Sequence, residues 1–274
     1  MVSGLHLFGA SHLDRYSSIQ EEVEDRIAET EAEAICIEAP EQRIQVKYWL
    51  LALLRLPLVI TGFALLGLVQ LALFALLARS VLPGEVRAAR EVHAKQGIPL
   101  HKVDPHFQRY FSTGGLWFIA VNWAILVAIA VVFSPIQLAI ICVIGNIAFW
   151  CLRAAGQLSE RIAVIIAVPA CIIIYIALFQ LTSILLVLVV FFSGIAALVT
   201  ATKLTGEERT DEMLERTQTA INDNRYENVL YVTGQRRLPT LRDRIAEIGD
   251  IELGSVWVKE RSESGSLEQP TPND

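Results

Sequence analysis

The residues of this chain best suited to chemistry lie near its beginning, in the stretch "LHLFGASHLDRYSSIQEEVEDRIAETEAEAICIEAP". An apolar strand pattern there ends in Gly9-x-x-His12, and a second strand pattern ends on Glu38. The glycine lets the backbone turn sharply, so the histidine can project at the carboxyl edge of a sheet, where sites of α/β proteins usually form. We therefore expect His12 and Glu38, from adjacent strand ends, to form a site; the alternative is two residues hydrogen-bonded in the core.

A second set of candidates lies around the third strand pattern. His101 and Asp104 are three residues apart, and His106 follows after Pro105. On a strand His101 and Asp104 face opposite sides, so a shared site requires the chain to turn at Pro105.

The elements that must position these residues come in three polar fragments, 1–47, 83–113 and 204–260, separated by apolar segments. Their patterns read β-α-β, α-β and α-β-α-β, which predicts one α/β domain with a mainly parallel sheet and flanking helices. Capping boxes at Ser18-x-x-Glu21 and Thr205-x-x-Glu208 predict helix starts. The polar tail 261–274 is expected to be disordered.

Between the second and third fragments, the segment 114–203 contains four apolar runs that predict an inserted α-helical transmembrane region. Each run is long enough to cross a hydrocarbon core of about 30 Å. The runs are 116–133, 136–152, 162–179 and 181–201. Basic residues flank them on one side only, which predicts a multi-pass protein of the cell membrane with its α/β domain in the cytoplasm. Because no Asp, Glu, Lys, Arg or His lies inside the runs, anchoring is favoured over transport.

The segment 48–82 is more ambiguous. Residues 56–78 are apolar enough to cross once, but one crossing would place 1–47 and 83–113 on opposite sides of the bilayer. Either the segment is a buried or surface-lying helical hairpin, or the polar fragments do not form one domain. A single sheet requires the first alternative.

Composition limits the partners that this chain can have. The mean hydropathy of +0.46 favours a lipid bilayer as a partner. The net charge is −6 and there is no basic patch large enough for nucleic acid, so nucleic acid is not an expected partner. The four cysteines form no C-x-x-C motif and are expected to be small buried apolar residues.

Five short motifs in chain order resemble the TraB/PrgY/GumN superfamily, which includes the Tiki metalloproteases. They are "LFGASH", the Ile37-Glu38 pair, "PGEVRAAREVHAKQGIPLHKVD", "ERTDEM" and "YVTGQRRLPTL". The resemblance covers the polar fragments and implies a TraB-like fold. The chain departs from the family pattern at Thr210, which replaces an aspartate, and at Arg237, which replaces the second Gly-x-x-His histidine. It also carries its membrane helices between the middle and last motifs, whereas members with such helices carry them at the C-terminus.

The resemblance implies a divalent metal, Zn, Mn or Co, held by His12 and Glu38, with Glu38 also catalytic in peptide hydrolysis. Without the second histidine the chain is expected to hold either one such metal or none, because Arg237 cannot ligate and would repel a cation. Arg237 could instead bind a substrate carboxylate or pair with Glu38. Substrate-binding or supporting roles are implied for Gly9, Asp104, Arg209, Gly234 and Arg237.

Two functions remain open from the sequence. One is a membrane-anchored, metal-dependent peptidase, or a degenerate derivative of one, acting on a peptide or a protein terminus. The other is a catalytically inert relative that binds a peptide or regulates a partner, as suggested for the pheromone-shutdown members. A homo-oligomer is compatible with either function.

Overall fold

The computed structural model describes residues 4–40, 46–105, 115–248 and 252–259, and their strands form one five-stranded sheet. The strands are β1 (Gly4–Ala10), β2 (Ala34–Pro40), β3 (Leu100–Asp104), β4 (Asn228–Gly234) and β5 (Glu252–Val258). Their order is β3-β2-β4-β1-β5, and every pairing is parallel. The predicted α/β class with a parallel sheet is therefore confirmed, and all three polar fragments contribute strands to the same sheet. The expected disorder of 261–274 and the candidate His106 lie outside the described residues.

Helices cover both faces of this sheet and also form a separate apolar bundle. In chain order they are α1 (Tyr16–Thr30), α2 (Val46–Arg55), α3 (Pro57–Leu77), α4 (Gly84–Gln96), α5 (Leu116–Val132), α6 (Pro135–Leu158), α7 (Glu160–Leu181), α8 (Ile184–Asn224) and α9 (Leu238–Ile248). A 3₁₀ turn, Gln235–Arg237, joins β4 to α9.

The α/β domain has three layers because each flanking helix buries one apolar stripe. The stripe Ile19, Val23 and Ile27 of α1 packs with α4 on one face of the sheet. The opposite face is covered by α9 and by the second half of α8, including Met213 and Leu214.

The strand order corrects one expectation about the site. β4 lies between β1 and β2, so His12 and Glu38 do not come from adjacent strand ends. The sequence offers no sign of this, because β4 is contributed by the last fragment of the chain. The connection from β1 crosses one face of the sheet to β2, and the connection from β4 crosses the other face to β5. The carboxyl ends of β1 and β4 therefore flank a topological switch point, where α/β proteins bind ligands.

Four helical segments are long and apolar enough to cross a membrane: Pro57–Leu77, Pro135–Gly156, Glu160–Leu181 and Ile184–Leu204. This set differs from the four predicted runs, because it includes α3, whereas α5 has only 17 residues. The predicted boundary at Ser134-Pro135 is a helix start, where the Ser134 side chain accepts a hydrogen bond from the Gln137 backbone N–H.

The ambiguous segment 48–82 folds as a helical hairpin. α2 turns back onto α3 at Leu56 and Pro57, so that Trp49 packs edge-on against Phe63 with ring centroids 5.7 Å apart. Of the most apolar window of α3, 61% is buried, against 22–33% for the other three candidate spans. α3 is therefore the central helix of the bundle, and its far end connects directly into α4 of the α/β domain.

Both predicted capping boxes are wrong. α8 runs without interruption for 41 residues from the apolar bundle into the α/β domain, so no helix starts at Thr205. Its backbone ladder continues through this point, so no capping side chain is needed. α1 begins at Tyr16, and its N-cap Arg15 makes no side-chain capping bond, which leaves Ser18 inside the first turn.

Candidate functional site

The candidate site lies at the carboxyl edge of the sheet, at the switch point between β1 and β4. Parallel pairing sets Gly9 beside Thr233 and Ile37 beside Val232, which brings the strand ends together. His12 follows β1, and the 3₁₀ turn with Arg237 follows β4.

Glu38 is held by two arginines and a hydroxyl. Its Oε1 forms an ion pair with Arg237 Nε at 2.8 Å and accepts a hydrogen bond from Arg209 Nη2 at 3.3 Å, and its Oε2 accepts one from Thr233 Oγ1 at 2.8 Å. The side chain is only 12% exposed. Burial raises the pKa of the Glu38 carboxyl above its ordinary value, while Arg237 and Arg209 oppose that shift. Both carboxylate oxygens are therefore already in use within the protein.

Arg209 joins Glu38 to Asp104 through a bidentate ion pair. Arg209 Nε donates to Asp104 Oδ1 at 2.8 Å, and Nη2 donates to Oδ2 at 2.6 Å. The planar guanidinium matches a carboxylate in this fork geometry, which makes the pair stronger than a single contact. Burial lowers the pKa of Arg209, but the hydrogen bonds to Asp104 together with the charges of Asp104 and Glu38 outweigh burial, so the net shift is upward. Arg209 is thus a structural clamp on the ends of β2 and β3.

His12 is paired with Glu85 and not with Glu38. Its Nδ1 forms an ion pair with Glu85 Oε1, and Glu85 lies in the first turn of α4, where the helix dipole favours a carboxylate. The hydrogen bond to Glu85 raises the pKa of His12 above 6.5; burial opposes the shift, and the charge of Glu38 adds to it. The His12 side chain is 54% exposed, whereas the Glu85 side chain is 3% exposed. Glu85 therefore orients a histidine whose ring remains open to solvent.

Two glycines allow these strand ends to approach each other. A side chain at Gly234 would place its Cβ 2.6 Å from His12 Cε1, so the imidazole lies directly on the Gly234 backbone. A Cβ at Gly9 would collide with the Leu238 side chain and lie 3.1 Å from Gln235 Cα. Each of the two glycines provides space for a neighbouring group, Gly234 for the His12 ring and Gly9 for Leu238.

Glu85 and Thr233 also belong to the site, although neither was expected there from the sequence. The sequence did contain a signal for Glu85, since this residue is part of the "PGEV" motif and is a carboxylate at a predicted helix start. The alternative pairing of His101 with Asp104 is not formed: His101 Nε2 lies 3.3 Å from Tyr226 Oη, while Asp104 binds Arg209.

The arrangement does not fit a divalent metal. Within the described ranges no three His, Cys, Asp or Glu side chains are grouped to hold one. Glu38 is bound by two guanidinium groups, whose fixed charges would repel a cation, and Nδ1 of His12 is occupied by Glu85. Arg237 pairs with Glu38, which was one of the two roles open to it from the sequence.

The site is also close to one of the candidate membrane spans. Arg209 lies on the same uninterrupted helix as the candidate span that ends at Leu204, five residues or about 7.5 Å earlier along the axis. The N–H of Gly84, the first residue of α4 and seven residues after the end of α3, donates to the His12 carbonyl at 3.3 Å.

The chain matches no family model, no curated protein and no solved structure. The geometry of the site is therefore the evidence that bears on its function.

Proposed function

We propose that this chain is an integral membrane protein with a TraB-like α/β domain that binds a peptide carboxylate beneath the membrane surface, without metal-dependent hydrolysis. The observation that supports the proposal is the pairing and exposure of Arg237, which occupies the position of the second histidine in the family that the chain resembles. The Arg237 Nε forms an ion pair with Glu38, and its Nη1 donates a hydrogen bond to the weak acceptor Met213 Sδ at 3.6 Å. The side chain keeps 31% of its surface exposed.

A second positive group stands beside Arg237. His12 is close enough for the charge of Arg237 to affect it, yet its pKa is still raised because Glu85 and Glu38 favour the protonated ring. A carboxylate that approaches the switch point therefore meets a guanidinium and an imidazole whose protonated form is favoured, both partly open to solvent. Arginine and protonated histidine bind carboxylates through charge-assisted hydrogen bonds. This is the basis for a peptide terminus or an acidic side chain as the ligand.

The second candidate function is the metal-dependent peptidase. The orientation of His12 by a buried carboxylate favours it, because a positioned, half-exposed imidazole is suited to proton transfer. Against it stand the two arginines on Glu38 and the absence of a fitting ligand set among the described residues.

We also infer a multi-pass arrangement in the cell membrane with the α/β domain in the cytoplasm. The inference rests on the arginines at the ends of the spans that face this domain, Arg153 and Arg161, and on the hairpin α2–α3, which returns the chain to its starting side. Accessibility labelling of single cysteines should find position 134 outside and position 156 inside. Labelling of both positions from one side would overturn this arrangement.

A binding experiment tests the proposed function. Purified full-length protein in a neutral detergent is titrated with fluorescent peptides that carry either a free or an amidated C-terminus. We expect the free carboxylate to bind more tightly, and Arg237→Gln to remove that preference. The matched control Arg242→Gln changes an exposed arginine on α9 and should leave the preference intact. Equal affinity for the two peptides would overturn the proposal.

Metal content decides between the two candidates. The proposal expects substoichiometric zinc, manganese and cobalt in the purified protein, unaffected by His12→Ala. A stoichiometric metal that disappears in His12→Ala and in Glu38→Gln, together with peptide cleavage, would establish the peptidase instead.

A further inference from the structure

The contacts of the α2–α3 hairpin show how far it reaches along the apolar bundle. Length alone would let α3 cross a bilayer, since it has 21 residues. A Cβ at Gly194 of α8, however, would collide with the Gly62 backbone and lie 3.0 Å from the Leu58 carbonyl oxygen. Gly194 is ten residues, or about 15 Å, from either end of the candidate span Ile184–Leu204. The start of α3 therefore lies beside the middle of that span and not beside its far end.

Contacts with α6 give the same depth for the start of α3 and also fix its other end. Asn146 Nδ2 donates to Thr61 Oγ1 at 3.4 Å, and Asn146 lies near the middle of the candidate span Pro135–Gly156. Beyond the end of α3, Val81 Cγ2 lies 3.0 Å from the position of a Cβ at Gly156, where that span ends. α3 thus runs from the middle of the bundle to the end that meets the α/β domain.

The other arm of the hairpin, α2, has a matching length. Its ten residues span about 15 Å, which is half of a hydrocarbon core of about 30 Å. Trp49 and Ala52 on its inner face are buried in the same cluster as residues of α3. The leucines on its outer face are 41–69% exposed: Leu50, Leu51 and Leu54. A helix that is apolar on both faces is suited to lipid on its exposed side and not to water.

The turn of the hairpin interrupts the helical hydrogen bonds, and two consecutive residues of α5 cap the interruption. Pro57, at the start of α3, has no N–H to donate. The Leu58 N–H, which in a continuous helix would bond to the Leu54 carbonyl, donates to Asn122 Oδ1 at 3.2 Å. The Leu54 carbonyl accepts instead from Trp123 Nε1 at 3.2 Å. Unpaired backbone groups cost most in hydrocarbon, so this double cap suits a turn that lies deep in a membrane.

We propose that α2 and α3 form a re-entrant hairpin whose outer leucine face contacts the acyl chains of one leaflet. The hairpin enters the leaflet on the side of the α/β domain, turns at Leu56 and Pro57 near the middle of the bilayer, and returns to the same side. The chain then crosses the bilayer four times, through α5, α6, α7 and α8. This inference rests on the multi-pass arrangement proposed above and is independent of any peptide bound at the switch point.

Spin-label depth measurements on the full-length protein in phosphatidylcholine–phosphatidylglycerol vesicles provide the test. The four native cysteines are replaced by alanine, and single cysteines carry a nitroxide whose depth follows from its accessibility to oxygen and to a water-soluble nickel complex. Three isoleucines with the same exposure of 58% calibrate the scale. Ile162→Cys lies near the domain-side end of a candidate span, Ile147→Cys near the middle of one, and Ile184→Cys at a far end.

The two arms of the measurement are Leu54→Cys, beside the turn, and Leu50→Cys, about one helical turn before it. We expect the label at position 54 to be as deep as the label at position 147. The label at position 50 should be up to about 6 Å shallower, because it is four residues nearer the start of α2.

Shallow labels at these positions would overturn the proposal in distinguishable ways. A label at position 54 as shallow as the one at 184 would show that α3 crosses the whole bilayer. Equal, shallow depths at positions 50 and 54 would show that α2 lies on the membrane surface. A shallow label at position 147 would reject the multi-pass arrangement itself, and the hairpin with it.

A matched pair of tryptophan variants tests the cap. Trp123→Phe keeps an aromatic ring and removes the N–H that binds the Leu54 carbonyl. Trp117→Phe makes the same change on the same helix, at a side chain that is 60% exposed. We expect Trp123→Phe to lower Tm by about 1–4 °C more than Trp117→Phe does. Equal effects of the two variants would overturn the capping role of α5.

Discussion

Arg209 is the residue whose removal should most damage the α/β domain. It holds Asp104 through two hydrogen bonds of 2.8 and 2.6 Å and Glu38 through a third of 3.3 Å. Asp104 is 6% exposed, so Arg209→Ala would leave one buried carboxylate without its counter-charge and would weaken the pairing of Glu38. Removing one partner of a buried ion pair costs about 3–5 kcal/mol.

The same helix provides a matched control. Arg216 lies seven residues further along α8 and pairs at 2.6 Å with Glu212, one turn away, in a partly exposed position. Surface pairs of this spacing contribute about 0.3–0.5 kcal/mol, so Arg216→Ala should be nearly neutral. The two variants change the same residue type on the same helix and differ mainly in the burial of the partner carboxylates.

Thermal unfolding of the purified protein in detergent, followed by tryptophan fluorescence, measures the difference. For a chain of this size we expect Arg209→Ala to lower Tm by about 6–20 °C and Arg216→Ala by less than about 2 °C. The double variant Arg209→Met/Asp104→Leu should recover part of the loss, because it removes the unpaired charge as well. Equal effects of Arg209→Ala and Arg216→Ala would refute the assignment of Arg209 as a buried clamp.

Further predictions concern the histidine and the bundle. The pKa of His12 is raised above 6.5 by Glu85, so its ion pair contributes full stability below about pH 6.5, and this contribution is lost as pH rises through the raised value. The Tm difference between wild type and His12→Gln should therefore shrink at alkaline pH, and a pH-independent difference would contradict the pair. In the bundle, Gly194→Ala should destabilise by about 1–3 kcal/mol, because its Cβ would collide with the Gly62 backbone. Gly206→Ala, on the same helix with nothing within 4 Å of its Cβ, should stabilise by up to about 1 kcal/mol, and unfolding titrations that gave both changes the same sign would refute the close packing.

Much of the α/β domain could be predicted from the chain because its signals are local. "GLHLFGA", "AICIEAP" and "NVLYVTG" are short apolar runs between polar segments, and each is a strand. The stripe Ile19, Val23 and Ile27 lies on one face of α1 because residues spaced at i, i+4 and i+8 share a side of a helix. Local pattern is enough here, since each element buries the face that its own sequence makes apolar.

The candidate site was only partly predictable, because its contacts join distant parts of the chain. His12 and Glu38 do lie at the same edge of the sheet, as expected from strands that run parallel. The partner of His12, however, is Glu85, 73 residues away, and Arg209 reaches Asp104 across 105 residues. Side chains of opposite charge were present in every fragment, and nothing local could decide which of them would meet.

The sequence by itself determined the class of the protein: an α/β domain with strand-end histidine and carboxylate, joined to helices apolar enough to enter a membrane. Hydrophobic periodicity and run length carry that information, and they do not depend on how the elements are arranged. Only the tertiary structure decided that β4 inserts between β1 and β2, and that Arg209 and Arg237 meet at Glu38. The physical reason is that strand order and ion pairing are set by the packing of the whole domain. That packing surrounds the expected metal ligand, Glu38, with two fixed positive charges.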